Sequence, residues 1–243
     1  MKASPADQRR LVEVAQLDAR IRQAENARKN PPQAGRVHEL LGRRQQLSQE
    51  LTTRLGARDD LRTELSRIES DVAVVDARAA RDAQRLAAST NSKEAQGFES
   101  ELAALARRKN DLEDAELAVM ERLESADAAV AEQEALIATT NAEGAELSAE
   151  GKRAVAEATA AFEAATRDRA AVAGALPADL VALYDRVAVR SSGAAFLRRR
   201  TCEGCNMVLA GTDLQVLRQA PDDEVVTCPE CGCLLVRDDE SGL

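Results

Sequence analysis

The sequence predicts a mainly α-helical protein, in which a long antiparallel coiled-coil hairpin precedes a small C-terminal α+β module. Three observations indicate this fold: seven-residue repeats of apolar side chains, a short run of turn-forming residues between two such repeats, and five cysteines confined to the end of the chain. Of the 243 residues, 31% are charged and only 2% are aromatic. This composition is typical of long helices with exposed surfaces and argues against a large globular core.

Two apolar repeats form the predicted arms of the hairpin. In the first, Val37–Ala79, apolar residues recur at alternating steps of three and four with polar residues between them. A shorter apolar stretch precedes it, and Pro31-Pro32 separates the two because proline ends or kinks a helix. The second repeat, Phe98–Leu147, continues into a weaker stretch of alanines. Charged residues at a few repeat positions, among them Arg54 and Lys109, are expected to set the register and reach outward.

The segment Ser89–Ser92 predicts the turn between the arms, since these residue types favour turns and helix caps. Asn91 followed by Glu94 resembles a capping box, so the first arm should end near residue 88 and the second should begin near 92. Folding the chain about residue 92 places Leu61 opposite Leu123 and apolar opposite apolar in most layers. We therefore predict a hairpin over residues 1–175, with its tip near 89–92 and a kink near 31–32. A parallel homodimer through one arm is the alternative.

The cysteines form two knuckles in the last quarter of the chain. Cys202 and Cys205 belong to the first, and Cys228 and Cys231 follow after 22 intervening residues. Four thiolates suit Zn²⁺, and four protein ligands leave no open position for a substrate. The pattern predicts one structural zinc ion per chain, in a C4 zinc ribbon over residues 176–243 that begins with a short helix. Iron is the alternative, but rubredoxin-like iron sites are enclosed by aromatic residues, which this segment almost lacks.

The rest of the last quarter predicts short strands, one helix and a basic cluster. Ala194–Thr201 and Leu234–Val236 are expected to be strands, with a short capped helix over Thr212–Gln219. Cys233 is expected to be a small, partly buried strand residue that does not bind the metal. Arg198-Arg199-Arg200 is the compact basic cluster of this part of the chain, either a phosphate-binding surface or a solvated strand.

Charge and composition exclude several function classes. The formal net charge is −9 and the sequence pI is about 4.9, which disfavours a protein whose whole surface follows a nucleic acid backbone. No secretory signal and no apolar run of membrane-spanning length is present, so we expect a soluble, cytoplasmic protein. The lone His38, the lack of a nucleophile–base set and the lack of a phosphate-binding loop argue against an enzyme and give no catalytic residue.

The assembled motifs resemble a bacterial family with an N-terminal coiled-coil hairpin and a C-terminal C4-type zinc ribbon. The similarity is carried by residues 91–94 at the tip, 111–114 and 120–121 downstream, Leu176-Pro177 before the ribbon, and the closing Cys228-Pro229-Glu230-Cys231-Gly232. Two positions depart from the family pattern: Ala95 stands where relatives often have an aromatic residue, and Cys233 stands where they usually have arginine.

The resemblance implies a non-enzymatic function. Relatives are described as adaptors or chaperone-like factors that bind other proteins, and some as nucleic-acid-binding zinc ribbons. The expectation is a zinc-binding adaptor that uses a coiled-coil rod and a ribbon to bind partner proteins, as a monomer or homodimer. The alternative is a ribbon that binds DNA or RNA through Arg190, Arg198, Arg199 and Arg200. A membrane is not an expected partner.

Overall fold

The computed structural model describes residues 1–243 as five helices and four short strands. The helices are α1 (Pro5–Lys29), α2 (Ala34–Ala88), α3 (Ser92–Gly174), α4 (Ala178–Ala188) and α5 (Gly211–Gln219). The strands are β1 (Ala194–Arg198), β2 (Thr201–Cys202), β3 (Val226–Thr227) and β4 (Leu234–Val236). No helix combines sufficient length with sufficient apolarity to cross a membrane.

The first helix has sequence signals at both ends. Ser4 caps α1 by accepting a hydrogen bond from the Asp7 backbone N–H at 3.1 Å, and Pro5 occupies the first turn, where a missing N–H costs nothing. Helix α1 stops before the Pro31-Pro32 pair and α2 begins beyond it, as the sequence predicted.

The turn between α2 and α3 spans the three residues 89–91, close to the prediction. The side chain of Asn91 accepts a hydrogen bond from the Lys93 backbone N–H at 3.0 Å and so caps α3. The Asn91 N–H donates to the Ser89 hydroxyl at 3.4 Å instead of to the Glu94 carboxylate, and that hydroxyl lies 3.2 Å from the Asn91 carbonyl and 3.4 Å from Oε2 of Glu94. The capping box was therefore only half right, because Ser89 stands between its two members.

Residues Gly35–Ser148 form one compact unit, in which α2 and the first part of α3 run antiparallel. The amide of Gln133 donates to the carbonyl of Leu47 at 3.0 Å, and Lys109 contacts Asp76 at 2.8 Å. In each pair the two residues lie on opposite sides of residue 92, at similar distances from it along the chain. The antiparallel coiled-coil hairpin is thus confirmed. Its buried seam includes Leu40, Leu47, Ile68, Leu105, Leu112, Val119 and Val130.

The second compact unit combines Met1–Ala34 with Ala149–Leu243. Helix α1 packs on β1 and β4, and its Leu11 and Val14 share a core with Leu180 and Tyr184 of α4. The packing therefore groups α1 and the end of α3 with the cysteine module, rather than dividing the chain at residue 175. The division of the chain into a hairpin over residues 1–175 and a ribbon over residues 176–243 stays a prediction.

The sheet of this unit has the order β2-β1-β4-β3, with β1 and β4 parallel and the two outer pairs antiparallel. The single strand expected over Ala194–Thr201 is interrupted, because Arg199 and Arg200 have positive φ and turn the chain between β1 and β2. Lys2 forms an isolated antiparallel β-bridge with Glu224, two residues before β3.

Alternate residues of β1 and β4 face two different cores. Ala194 and Leu234 contact the helices, whereas Ala195, Leu197 and Leu235 face the cysteines and α5. Helix α5 begins one residue earlier than predicted, and no side chain caps it. One face of the ribbon sheet is therefore part of a helical core, and only the other face is built around the cysteines.

Candidate metal centre

The two Cys-x-x-Cys segments fold into similar turns. In the first, the backbone N–H of Asn206 donates to the Cys202 carbonyl at 2.7 Å; in the second, Gly232 donates to Cys228 at 2.9 Å. Asn206 and Gly232 both have positive φ, 59° and 73°. This is the left-handed conformation that glycine adopts freely and asparagine tolerates. The turn at Gly232 was predictable from the sequence, and Asn206 was missed because asparagine is a weaker signal.

The structure brings all four predicted ligands together. The sulfur atoms of Cys202, Cys205, Cys228 and Cys231 all lie within 4.8 Å of one another. Cys202 is 4.0 Å from Cys231, and Cys205 is 3.9 Å from Cys228, so each of these contacts joins one knuckle to the other. Cys202 and Cys228 are buried, while Cys205 and Cys231 are half-buried. Four sulfurs in such a cluster are positioned to bind one metal ion.

Burial and hydrogen bonds act in opposite directions on the pKa values of these thiols. It raises the pKa of Cys202 and of Cys228, although backbone N–H groups of their own knuckles act in the opposite direction. Burial is also the largest single influence on Cys231, but hydrogen bonds from the Cys233 backbone and from neighbouring thiols together outweigh it and lower the pKa. Cysteine binds a metal as the thiolate, so binding of an ion by four such thiols would release protons and would become tighter as the pH rises.

Cys233 lies much closer to this site than the sequence indicated. It was expected to be partly buried, but it is fully buried, and its sulfur is 3.6 Å from that of Cys202. Its position follows from the shared knuckle geometry: Cys228 N–H donates to the Cys233 carbonyl at 2.8 Å, as Cys202 N–H donates to Met207 at 3.0 Å. Sequence spacing could not show that the side chain at this position turns inward in the second knuckle.

Of the four arginines predicted to bind nucleic acid, three are exposed and one is paired with carboxylates. Arg198 stacks over Phe196 at 4.6 Å and pairs with Asp238 and Glu240 at 3.0 and 2.5 Å, so its charge is largely compensated. Arg199 and Arg200 are exposed in the β1–β2 turn, where their backbone N–H groups donate to carbonyls near the C-terminus. Arg190 is exposed in the turn after α4.

The paired helices and the four-sulfur cluster correspond to two known domain types. Residues 14–192 match the CT398-like coiled coil hairpin domain, and residues 201–235 match the C4-type zinc ribbon domain. The chain belongs to the CT398-like coiled coil hairpin domain family. This bears out the resemblance noted in the sequence and the combination of coiled coil and zinc ribbon. Both matched domains are of a non-enzymatic kind.

Relatives of this family match the chain over nearly its full length. The uncharacterized protein Rv2229c of Mycobacterium tuberculosis is 31% identical over 98% of both chains. A solved structure from Mycobacterium smegmatis is 30% identical, covers 98% of this chain and 100% of its own, and superposes with a TM-score of 0.80. The structure of CT398 from Chlamydia trachomatis shares the fold at 13% identity, with 96% and 98% coverage and a TM-score of 0.60.

Proposed function

We propose that Cys202, Cys205, Cys228 and Cys231 hold one structural Zn²⁺ ion. The observation that carries this proposal is the mutual approach of the four sulfurs to within 4.8 Å. A cation would supply the charge that four thiolates need in a partly buried site, and four protein ligands close the site to substrates. Such an ion stabilises the fold of the two knuckles and leaves no coordination position for chemistry.

The surroundings of the cluster favour zinc over iron. The core around the cysteines is aliphatic and includes Leu197, Leu209, Leu214, Leu217 and Leu235. Tyr184 belongs to the core on the other face of the sheet, and Phe196 packs against that core. Elemental analysis of protein purified from its native host tests the assignment: one zinc per chain is expected, and stoichiometric iron would contradict it.

We further propose that the protein is a non-enzymatic adaptor or chaperone-like protein that binds other proteins. Two pairs of exposed apolar residues that lie close together in the sequence support this. Leu117 and Met120, one helical turn apart on α3, are 60% and 47% exposed; Met207 and Val208, after the first knuckle, are 50% and 69% exposed. Exposed apolar side chains that cluster, unlike isolated ones, mark contact surfaces. One pair lies in the hairpin unit and the other in the ribbon unit, so each unit offers a surface to a partner.

Affinity recovery from the native cell tests the adaptor proposal. We expect a protein partner to bind the parent chain and to be lost from a Leu117→Gln/Met120→Gln variant or a Met207→Gln/Val208→Gln variant. Val74→Gln is the matched control, because Val74 is 64% exposed but belongs to neither pair. Equal recovery of the same proteins by all four chains would contradict the proposal.

Nucleic-acid binding is the second candidate, favoured by the adjacent exposed side chains of Arg199 and Arg200. The charge of the module weakens this candidate, because residues 176–243 carry seven arginines, no lysine and eleven carboxylates. Binding through phosphates must weaken steeply as salt rises. If the ribbon binds DNA or RNA in this way, changing Arg198–Arg200 to alanine should abolish binding in a fluorescence anisotropy assay. Retained binding with an unchanged salt slope would exclude the cluster.

A further inference from the structure

The fifth cysteine of the ribbon has no role in the proposed zinc site, yet it contacts one of the ligands. The sulfur of Cys233 is 3.6 Å from that of Cys202, closer than Cys202 is to the ligand Cys231 at 4.0 Å. Cys233 is outside the set of four sulfurs that mutually approach within 4.8 Å. It therefore sits beside the cluster, against one ligand, rather than within it.

The backbone fixes Cys233 in this place. Its carbonyl accepts the Cys228 N–H at 2.8 Å, and the next residue, Leu234, begins β4 and donates its N–H to the Gly193 carbonyl at 2.8 Å. A side chain at Gly204 in the first knuckle would come within 3.1 Å of the Cys233 sulfur, so that sulfur packs directly on the knuckle backbone. The contact with Cys202 is thus part of the packing between the two knuckles.

The ligand that Cys233 contacts is one of the two buried ligands. Cys202 and Cys228 are buried, whereas Cys205 and Cys231 are half-buried. A zinc ion with four thiolates carries a net charge of −2, which burial makes costly unless donors surround the sulfurs. A thiol that is not a ligand can supply such a donor to a neighbouring thiolate.

We propose that the Cys233 thiol donates an S–H···S hydrogen bond to the Cys202 thiolate of the metal site and slows release of the metal. This inference rests on the proposed zinc site. Cys233 is thus a positioning residue rather than a ligand.

Three substitutions separate donation from packing. Cys233→Ser retains a donor, Cys233→Val fills the space without a donor, and Cys233→Ala does neither. With the zinc-loaded full chain and a chromogenic chelator, we expect zinc release to be about tenfold faster in the Ala and Val variants and close to the parent rate in the Ser variant. Release that is slow for Val and fast for Ser would overturn the proposal in favour of simple packing, and equal rates in all four proteins would also overturn it.

The Co²⁺-loaded protein gives a second readout that packing alone does not move. Loss of a donor to a ligand sulfur shifts the thiolate-to-metal charge-transfer band to longer wavelength. We expect this shift in the Ala and Val variants but not in the Ser variant; an unshifted band in all three contradicts the hydrogen bond. The two proposals fail differently: a parent chain that binds neither metal refutes the zinc site, whereas a loaded parent with indistinguishable variants refutes only the role of Cys233.

Discussion

The hydroxyl of Tyr184 donates a hydrogen bond of 2.7 Å to Oδ2 of Asp18 and so joins α4 to α1. The other carboxylate oxygen of Asp18 accepts a hydrogen bond from Nε of Arg169 on α3 at 3.1 Å, and Arg169 also pairs with Asp185. Tyr184 is almost fully buried, and Asp18 is mostly buried. Three helices are therefore connected by one polar network on the side of the sheet that faces away from the cysteines.

This network predicts an unusual titration of Tyr184, the only tyrosine of a chain without tryptophan. Burial, followed by the hydrogen bond to Asp18, raises the pKa of Tyr184 above its usual value near 10. The neutral phenol is favoured in the folded state, so its stabilising contribution is complete below about pH 10 and is lost as the pH rises towards the folded-state pKa. Phenolate absorbance should thus appear at higher pH in the folded protein than in denaturant.

A Tyr184→Phe variant provides the comparison. It loses the hydrogen bond to the Asp18 carboxylate, so its free energy of unfolding at neutral pH should fall by about 1.5–3 kcal/mol. Above pH 10 the stability difference between parent and variant should narrow. An ordinary tyrosine titration in the folded state, with no change in stability on substitution, would contradict the role given to this network.

The register of the hairpin can be tested by zero-length crosslinking. Lys109 and Asp76 lie on different helices with their charged atoms 2.8 Å apart, so a carbodiimide should join them by an amide bond. Mass spectrometry of a mixture of isotopically light and heavy protein then shows whether the link is within one chain. We expect intrachain Lys109–Asp76 peptides that disappear in Asp76→Asn. Mixed light–heavy links at this pair would indicate pairing between two chains instead.

Removal of the metal should affect the two faces of the ribbon sheet unequally. The face with Leu197 and Leu235 packs on the cysteines and α5, whereas Leu234 and Val236 pack on helices that contain no ligand. After treatment with a strong chelator, amide hydrogen exchange should become fast in both knuckles and α5, because metal binding and folding are linked there. Exchange in α1, α4 and the hairpin should change little, and most helical circular dichroism should persist. Uniform loss of protection would show that the metal stabilises the whole chain.

Arg237 is predicted to hold α5 and the following loop to the sheet. Its guanidinium donates to the carbonyls of Leu217, Ala220, Pro221 and Glu224, at 2.6 to 3.1 Å. Lysine cannot reach four carbonyls from one position, so Arg237→Lys should cost about 2 kcal/mol in the stability of this region, measured by hydrogen exchange. Arg218→Lys, an exposed change on α5, is the control and should have little effect. Equal protection in both variants would contradict this role.

The hairpin could be predicted from the sequence because its signals are local. The proline pair at 31–32 and the turn residues at 89–92 each act within a few positions, and they set the end of α1, both ends of α2 and the start of α3. The two cysteine knuckles were predictable for the same reason, since the spacing within each knuckle is diagnostic by itself.

The features that the sequence did not show depend on contacts between distant segments. The turn at Arg199 and Arg200 has no glycine or asparagine to signal it in the sequence. Both residues have positive φ, and their backbone N–H groups donate hydrogen bonds to the carbonyls of Glu240 and Ser241. The pairing of Lys2 with Glu224 joins residues more than 200 positions apart. The contact of Cys233 with Cys202 joins residues more than 30 positions apart. No local propensity encodes such pairs.

Zinc content of purified cysteine variants tests whether four particular sulfurs bind one structural ion. Each full-length variant would be purified without chelator and analysed for zinc per chain by mass spectrometry. One zinc is expected in the parent and in Cys233→Ser, because the Cys233 sulfur contacts the cluster without completing it. Loss of bound zinc is expected in Cys202→Ser, Cys205→Ser, Cys228→Ser and Cys231→Ser. Stoichiometric zinc in any of these four, or none in Cys233→Ser, would show that the ligands have been assigned wrongly.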